Sequence, residues 1–157
     1  MPFLSNLNAE STGRQYRKVL VLNLFLNFGI VLAVVLPLVL LAHFIMSAYG
    51  PGFEKGTSVL RALAFSAVLV AVNRVVGQAI ISKGKMWIGF TFNALWAIAL
   101  LTTASILLHK GYGALGLAYA TLIAYILHTV WQSAYLSAVL SREGNALVSQ
   151  KARSGLR

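Results

Sequence analysis

The chain has no cysteine, no aspartate and only three glutamates among its 157 residues. Without cysteine it can form neither a disulfide nor a thiolate metal site, and it has no thiol nucleophile. The three carboxylates, Glu10, Glu54 and Glu143, all lie outside the long apolar segments. Paired-carboxylate hydrolysis and proton antiport through a buried carboxylate are therefore excluded for this chain alone.

Histidine is as scarce as glutamate. Its three copies lie in different segments without the spacing of metal ligands, and no nucleophile motif surrounds the serines. We therefore predict no enzyme activity, no metal site and no cofactor. The three residues are His43, His109 and His128.

Apolar residues make up 59% of the chain and charged residues 10%, with a mean hydropathy of +0.79. A soluble domain would have about a quarter of its residues charged. A helix needs about 20 mostly apolar residues to cross a bilayer, and four segments are long enough. The sequence thus predicts an all-α integral membrane four-helix bundle over residues 19–140, between a basic N-terminal segment (1–18) and a basic, disordered tail (141–157). The four segments are residues 19–46, 58–81, 86–108 and 114–139.

The formal net charge of +10 comes from lysines and arginines that are unevenly distributed between the two sides of the predicted membrane bundle. Nine of them fall in the terminal segments and the second loop, and three lie toward the other side. By the positive-inside rule we predict a multi-pass protein of the cell membrane with both termini cytoplasmic. Anionic lipid headgroups are the expected neighbours of the basic side, and nucleic acid is not a predicted partner. The nine are Arg14, Arg17, Lys18, Lys83, Lys85, Arg142, Lys151, Arg153 and Arg157, against Lys55, Arg61 and Lys110.

The connections between the apolar segments are short. Gly50, Pro51 and Gly52 predict the end of the first helix, because glycine frees the backbone and proline cannot continue the hydrogen-bond ladder. Pro37 predicts a kink inside that helix. Short loops also predict that consecutive helices are antiparallel neighbours.

Arg74 lies within the second apolar segment, and no accessible pH neutralises a guanidinium. Small or polar residues share its side of the helix, so we predict that it faces protein or water instead of lipid. A second hypothesis stays open: Arg74 is about 12 Å along the helix from Ser82, and its long side chain can extend toward the cytoplasmic interface. The shared side comprises Ala64, Ala67, Ala71 and Gln78, and the opposite side Phe65, Leu69, Val72, Val76 and Ile80.

The fourth apolar segment has small residues at intervals of four that lead to a histidine. This pattern predicts tight packing against a neighbouring helix. His128 is alternatively a ligand-binding or proton-coupling group, because histidine can change its charge near neutral pH. The pattern comprises Gly116, Ala120, Ala124 and His128, with Thr121 and Gln132 beside it.

Other polar and aromatic residues have simpler predicted roles. Asn23, Asn27 and Asn93 lie within apolar segments and are predicted to form hydrogen bonds between helices, because an unpaired amide is costly in hydrocarbon. Five aromatic residues near segment ends are predicted to anchor the helices at the membrane interface. These are Tyr49, Trp87, Tyr112, Trp131 and Tyr135.

Four short stretches follow one another in an order typical of one transporter family: MPFLSNL, AYGPGF, ISKGKM and GYGALGLAYATLIAY. Over residues 1–140 the chain resembles the C-terminal part of a polysaccharide flippase. These are the O-antigen and exopolysaccharide exporters of the multidrug/oligosaccharidyl-lipid/polysaccharide superfamily. The resemblance implies movement of an undecaprenyl-diphosphate-linked oligosaccharide from the inner to the outer leaflet during polysaccharide biosynthesis.

The resemblance also implies two helical bundles around a central cavity in which cations meet the diphosphate. Arg74 suits that contact chemically, because a guanidinium offers paired donors to phosphate oxygens. We therefore take Arg74 as the candidate diphosphate contact and Gln78, His128 and Gln132 as candidate cavity-lining residues.

Members of that family have many more helices than this chain. We therefore expect a fragment or split subunit, completed by an N-terminal bundle on a separate chain or by homo-oligomerisation. Two alternatives stay open. A small multidrug-exporter-like dimer fits the size but predicts an intramembrane carboxylate, which the sequence lacks. A membrane scaffold without transport activity would use its polar residues only to hold helices together.

Overall fold

The computed structural model describes the backbone of residues 13–154 and the side chains of residues 15–142 and 145, so the MPFLSNL stretch lies outside the described residues. The described chain is all-helical. It has five α-helices and one 3-10 helix, the latter at Pro51–Gly56. The α-helices are α1 (Gly13–Leu40), α2 (Ala42–Ala48), α3 (Thr57–Ser82), α4 (Met86–His109) and α5 (Gly113–Ser154).

Four helical segments are long and apolar enough to cross a membrane, as the sequence predicted. Their 18-residue windows have mean hydropathies from 1.5 to 2.7. We expected residues 141–157 to be a disordered tail, but residues 141–154 continue α5 as helix, and no proline interrupts them. Residues 155–157 lie outside the described residues. The candidate spans are Gln15–Leu40, Pro51–Ser82, Met86–His109 and Gly113–Arg142.

The first apolar segment is two helices separated by a bend at Leu41. The helix continues through Pro37, and the Leu41 N–H still donates to the Pro37 carbonyl at 2.8 Å. Just before the bend, the Val39 carbonyl accepts a hydrogen bond from Nε of Arg61 at 3.4 Å. Gly50 ends the helical segment with φ of 114°, a conformation that glycine adopts easily. The interruption therefore lies one turn beyond Pro37.

The helices pack in the spatial order α1, α3, α5, α4. In the span windows of the central helices α3 and α5, 39% and 28% of residues are buried, against 11% and 6% for α1 and α4. The prediction that consecutive spans are neighbours holds for the first and second (α1 and α3) and for the third and fourth (α4 and α5), whereas α3 and α4 touch little despite their short connection. The reason is that α5 packs against both of them.

A core cluster fills the space between α1, α3 and α5 near the loop that joins α3 to α4. The Tyr16 and Ser82 hydroxyls are 3.0 Å apart in a hydrogen bond, and Nζ of Lys83 lies 4.8 Å from the centre of the Tyr16 ring. Val76 and Ile80, on the side of α3 opposite Arg74, are buried because α1 covers that side. The cluster comprises Tyr16, Leu20, Val75, Val76, Ala79, Ile80 and Leu136.

The small residues of α5 are buried in helix contacts. Ala120 and Ala124 have no exposed surface. A Cβ atom added to Gly116 would lie 2.9 Å from Cβ of Tyr112 and 3.1 Å from Cβ of Leu107, so only glycine allows this approach at the start of α5. The pattern predicted from the sequence therefore does serve close packing.

One of the other predictions needs correction. Asn27 donates to Oδ1 of Asn23 at 2.6 Å and to its carbonyl at 2.9 Å, so this pair bonds within α1 instead of between helices, because a spacing of four residues already brings the amides together. Of the predicted interface anchors, Tyr49, Trp87 and Tyr112 are exposed near helix ends. Trp131 and Tyr135 are half-buried. The Tyr135 ring packs on Phe92 of α4, and the Trp131 ring packs on His128 of its own helix.

Candidate functional site: a polar groove between α3, α4 and α5

A groove of about 410 Å³ lies where α3 and α4 diverge over α5. All four candidate site residues from the sequence line it: Arg74 and Gln78 on α3, and His128 and Gln132 on α5. We call this feature the polar groove. Its other lining residues are Val70, Asn73, Gly77, Ile81, Gly89, Asn93, Trp96 and Tyr125.

Two glycines shape the polar groove. A Cβ atom added to Gly77 would lie 3.8 Å from Nε2 of Gln132, so the α3 backbone passes close to that amide. A Cβ atom added to Gly89 would lie 3.5 Å from Cγ1 of Ile81, which brings α3 and α4 together near their connecting loop. The two helices then diverge, and α5 supplies the floor.

Arg74 is an exposed side chain on the wall of the polar groove. It makes no hydrogen bond or ion pair with any residue that the structure describes. None of the four apolar segments contains an acidic residue, so these segments offer no carboxylate to this guanidinium. A cation in such surroundings needs water or an anion beside it.

The floor and inner wall contain polar side chains that are almost fully buried. Exposure is 8% for Asn73, 4% for His128 and 3% for Gln132. Both amide atoms of Asn73, both ring nitrogens of His128 and Oε1 of Gln132 lack hydrogen-bond partners, as does Nε1 of Trp96. Buried polar groups are nearly always paired, and each unpaired one costs about 1–3 kcal/mol. The polar groove therefore holds donors and acceptors that the described protein does not use.

Aromatic rings surround His128. The Trp131 ring centre lies 5.8 Å from that of His128, and the Trp96 ring centre lies 6.3 Å away. Trp96 also packs on Tyr125, with ring centres 5.2 Å apart. The imidazole thus lies beside two indoles, and neither of its nitrogens has a hydrogen-bond partner among the described residues.

Sequence reasoning missed four polar or aromatic residues of this site: Asn73, Asn93, Trp96 and Tyr125. We considered Asn93 only as a link between helices, although its side chain is exposed in the groove. The usable signal was the spacing of Asn93 and Trp96, which are three apart and so share one side of α4. Asn73 gave no such signal, because nothing but its neighbour Arg74 marks it.

The polar groove combines one fixed positive charge with amide, imidazole and indole groups and no acidic group. This composition favours an anion that also carries hydroxyl groups. The described residues contain no group of three or more histidine or acidic side chains that could hold a metal ion. Comparison of the chain with family models, curated proteins and solved structures gave no match.

Proposed function

We propose that this chain is part of a transporter that moves a polyprenyl-diphosphate-linked oligosaccharide across the cytoplasmic membrane, with both termini in the cytoplasm. The polar groove receives the diphosphate and the first sugar. One observation carries the proposal: Arg74, which has no acidic partner, lines the same groove as three buried polar side chains with unused hydrogen-bonding atoms. The resemblance of the sequence to polysaccharide flippases suggests this class of substrate, and the comparisons with known proteins, which gave no match, add nothing to it.

The chemistry of the groove suits the diphosphate. A guanidinium donates paired hydrogen bonds to phosphate oxygens, and the attraction is stronger in an apolar environment than in water. Amide groups such as those of Asn73 and Gln132 both donate and accept, which matches sugar hydroxyls. The polyprenyl tail needs no protein site, because it stays in the lipid around the helices.

Alternating access requires two bundles that move against each other around a shared site. The four long helices supply one wall of this shared site, and the polar groove lies in that wall. The second wall comes from an N-terminal bundle on another chain or from a second copy of this one. Membrane lipids complete the surroundings of the outer helices α1 and α4.

The binding test uses Arg74→Ala and Arg74→Lys in purified protein in lipid nanodiscs, with Arg61→Ala as the matched control on the same helix outside the groove. The probe is a polyprenyl diphosphate carrying one sugar, compared with the uncharged polyprenol. We expect Arg74→Ala to weaken probe binding at least about tenfold, since hydrogen bonds to charged groups contribute about 1.5–3 kcal/mol. Arg74→Lys keeps the charge and loses the paired geometry, so its loss is smaller.

Transport is tested in cells that depend on this gene for glycan export. Arg74→Ala should reduce export, whereas Arg61→Ala should not. If Arg74→Ala binds the probe and supports export as the wild type does, Arg74 is not the diphosphate contact. If wild-type protein binds the diphosphate probe no better than polyprenol, the groove is not a diphosphate site.

A further inference from the structure

His128 is the one histidine in the polar groove, and its surroundings are unusual for a residue that serves only packing. Its side chain is 4% exposed, yet neither ring nitrogen has a hydrogen-bond partner. A packing histidine normally donates one N–H to a carbonyl or carboxylate. His109 does form such a contact, with Nδ1 2.8 Å from the Ser105 carbonyl oxygen.

The charge balance of the polar groove is incomplete for the ligand proposed above. A sugar-linked diphosphate is a diester on both phosphates and carries two negative charges near neutral pH. Arg74 supplies one positive charge, and no other lining residue has a fixed charge. A buried charge left unpaired is strongly unfavourable, so the second negative charge needs a cation within the groove.

We infer that His128 takes up one proton when the anionic headgroup enters the polar groove, so that binding is coupled to protonation. The inference rests on the proposed function and adds to it the ion that accompanies the substrate. The proton comes from solvent and goes to the free imidazole nitrogen; the phosphate bonds do not change. The doubly protonated ring then donates from both nitrogens, which are the two atoms that lack partners.

Without a ligand the groove disfavours an imidazolium at His128, because the ring is buried and Arg74 in the same groove carries a positive charge. The titratable or charged groups of the groove are Arg74 on α3 and Tyr125 on α5, and the α4 residues that line it, Gly89, Asn93 and Trp96, have none. Among the residues that line the groove, no carboxylate competes with the ligand for the imidazolium. Trp131, 5.8 Å from the ring, stabilises a cation by its π-electrons. Binding of an anion in the groove is therefore what favours the protonated form of His128 over the neutral form.

The test measures binding of the sugar-linked polyprenyl diphosphate between pH 5.5 and 8.5, with protein in nanodiscs of uncharged lipid. This diester lacks the second ionisation of a phosphate monoester, so any pH dependence belongs to the protein. We expect the affinity of the wild type to fall with rising pH, with a limiting slope of about tenfold per pH unit for one coupled proton. His128→Gln should remove the slope, and His109→Gln should keep it.

Proton uptake is measured separately by calorimetry of the wild type in two buffers with different heats of ionisation. We expect close to one proton per bound probe near pH 7.5, a result that needs no variant to fold. Binding that is independent of pH, or a slope that persists in well-folded His128→Gln, overturns the inference and leaves the proposed function intact. Absence of probe binding at every pH overturns the proposed function as well, which distinguishes the two failures.

Discussion

The two sides of α3 differ in whether their buried polar groups have hydrogen-bond partners. On the side toward α1, apolar residues such as Val76 and Ile80 fill the core cluster, and the buried hydroxyl of Tyr16 shares a hydrogen bond with Ser82. On the side toward α4 and α5, Asn73 is almost as buried but has no partner for either amide atom. The first side is built for packing. The second has buried hydrogen-bonding atoms without protein partners, as a site prepared for a ligand does.

The largest effect on the packing side is expected from Ile80→Ala. Ile80 is 1% exposed, and its truncation leaves a cavity between α1 and α3. We expect a loss of about 2 kcal/mol in the free energy of unfolding, at the lower end for such cavities because lipid reduces the transfer contribution. Ile98→Ala, at a site 61% exposed on α4, is the control and should change stability by less than about 0.5 kcal/mol.

The measurement is equilibrium unfolding in mixed detergent micelles, together with probe binding by the folded fraction. Binding should be unchanged in Ile80→Ala, because this residue does not line the polar groove. A large loss of affinity in the folded fraction would show that the two sides of α3 are not independent.

On the groove side the sign of the stability change is expected to reverse. Asn73→Leu replaces a buried amide without partners by an apolar side chain of similar size, and we expect a gain of about 1 kcal/mol in the free energy of unfolding. Probe affinity should fall about fivefold, the equivalent of one neutral hydrogen bond. A less stable variant with unchanged affinity would mean that Asn73 has a packing role, and the contrast between the two sides would fail.

The smallest effect is expected for the hydrogen bond on the packing side, between the hydroxyls of Tyr16 and Ser82. Tyr16→Phe removes the hydroxyl that bonds to Ser82 but keeps the ring in the core cluster. We expect a loss of about 0.6 kcal/mol, the typical value for such a bond between membrane helices. Tyr112→Phe, on an exposed ring, is the matched control and should show no change. Equal stabilities for the two variants would show that the Tyr16 hydroxyl does not stabilise the fold.

Much of the site followed from the sequence because its signals are local to one helix. Periodicity alone put Arg74 and Gln78 on one side of α3, and His128 and Gln132 on one side of α5. It did not show that these two sides meet, because which helix lies beside which depends on packing between helices. The same limit explains why the side of α3 with Val76 and Ile80 gave no sign of being covered by α1.

The remaining differences have equally specific causes. Asn23 and Asn27 were assigned bonds to other helices, although their spacing of four residues lets them bond to each other. The bend after Pro37 occurs at Leu41, beyond the turn that proline usually disturbs. Asn73 was missed because an amide beside an arginine has no periodic pattern of its own.

The packing order of the helices also determines when the polar groove comes into being. During synthesis α1, α3 and α4 precede α5, but α3 and α4 make few contacts with each other. The floor residues Tyr125, His128 and Gln132 all belong to α5. A chain synthesised only as far as α4 therefore has Arg74 but no groove around it, and α5 is the helix that completes the polar groove.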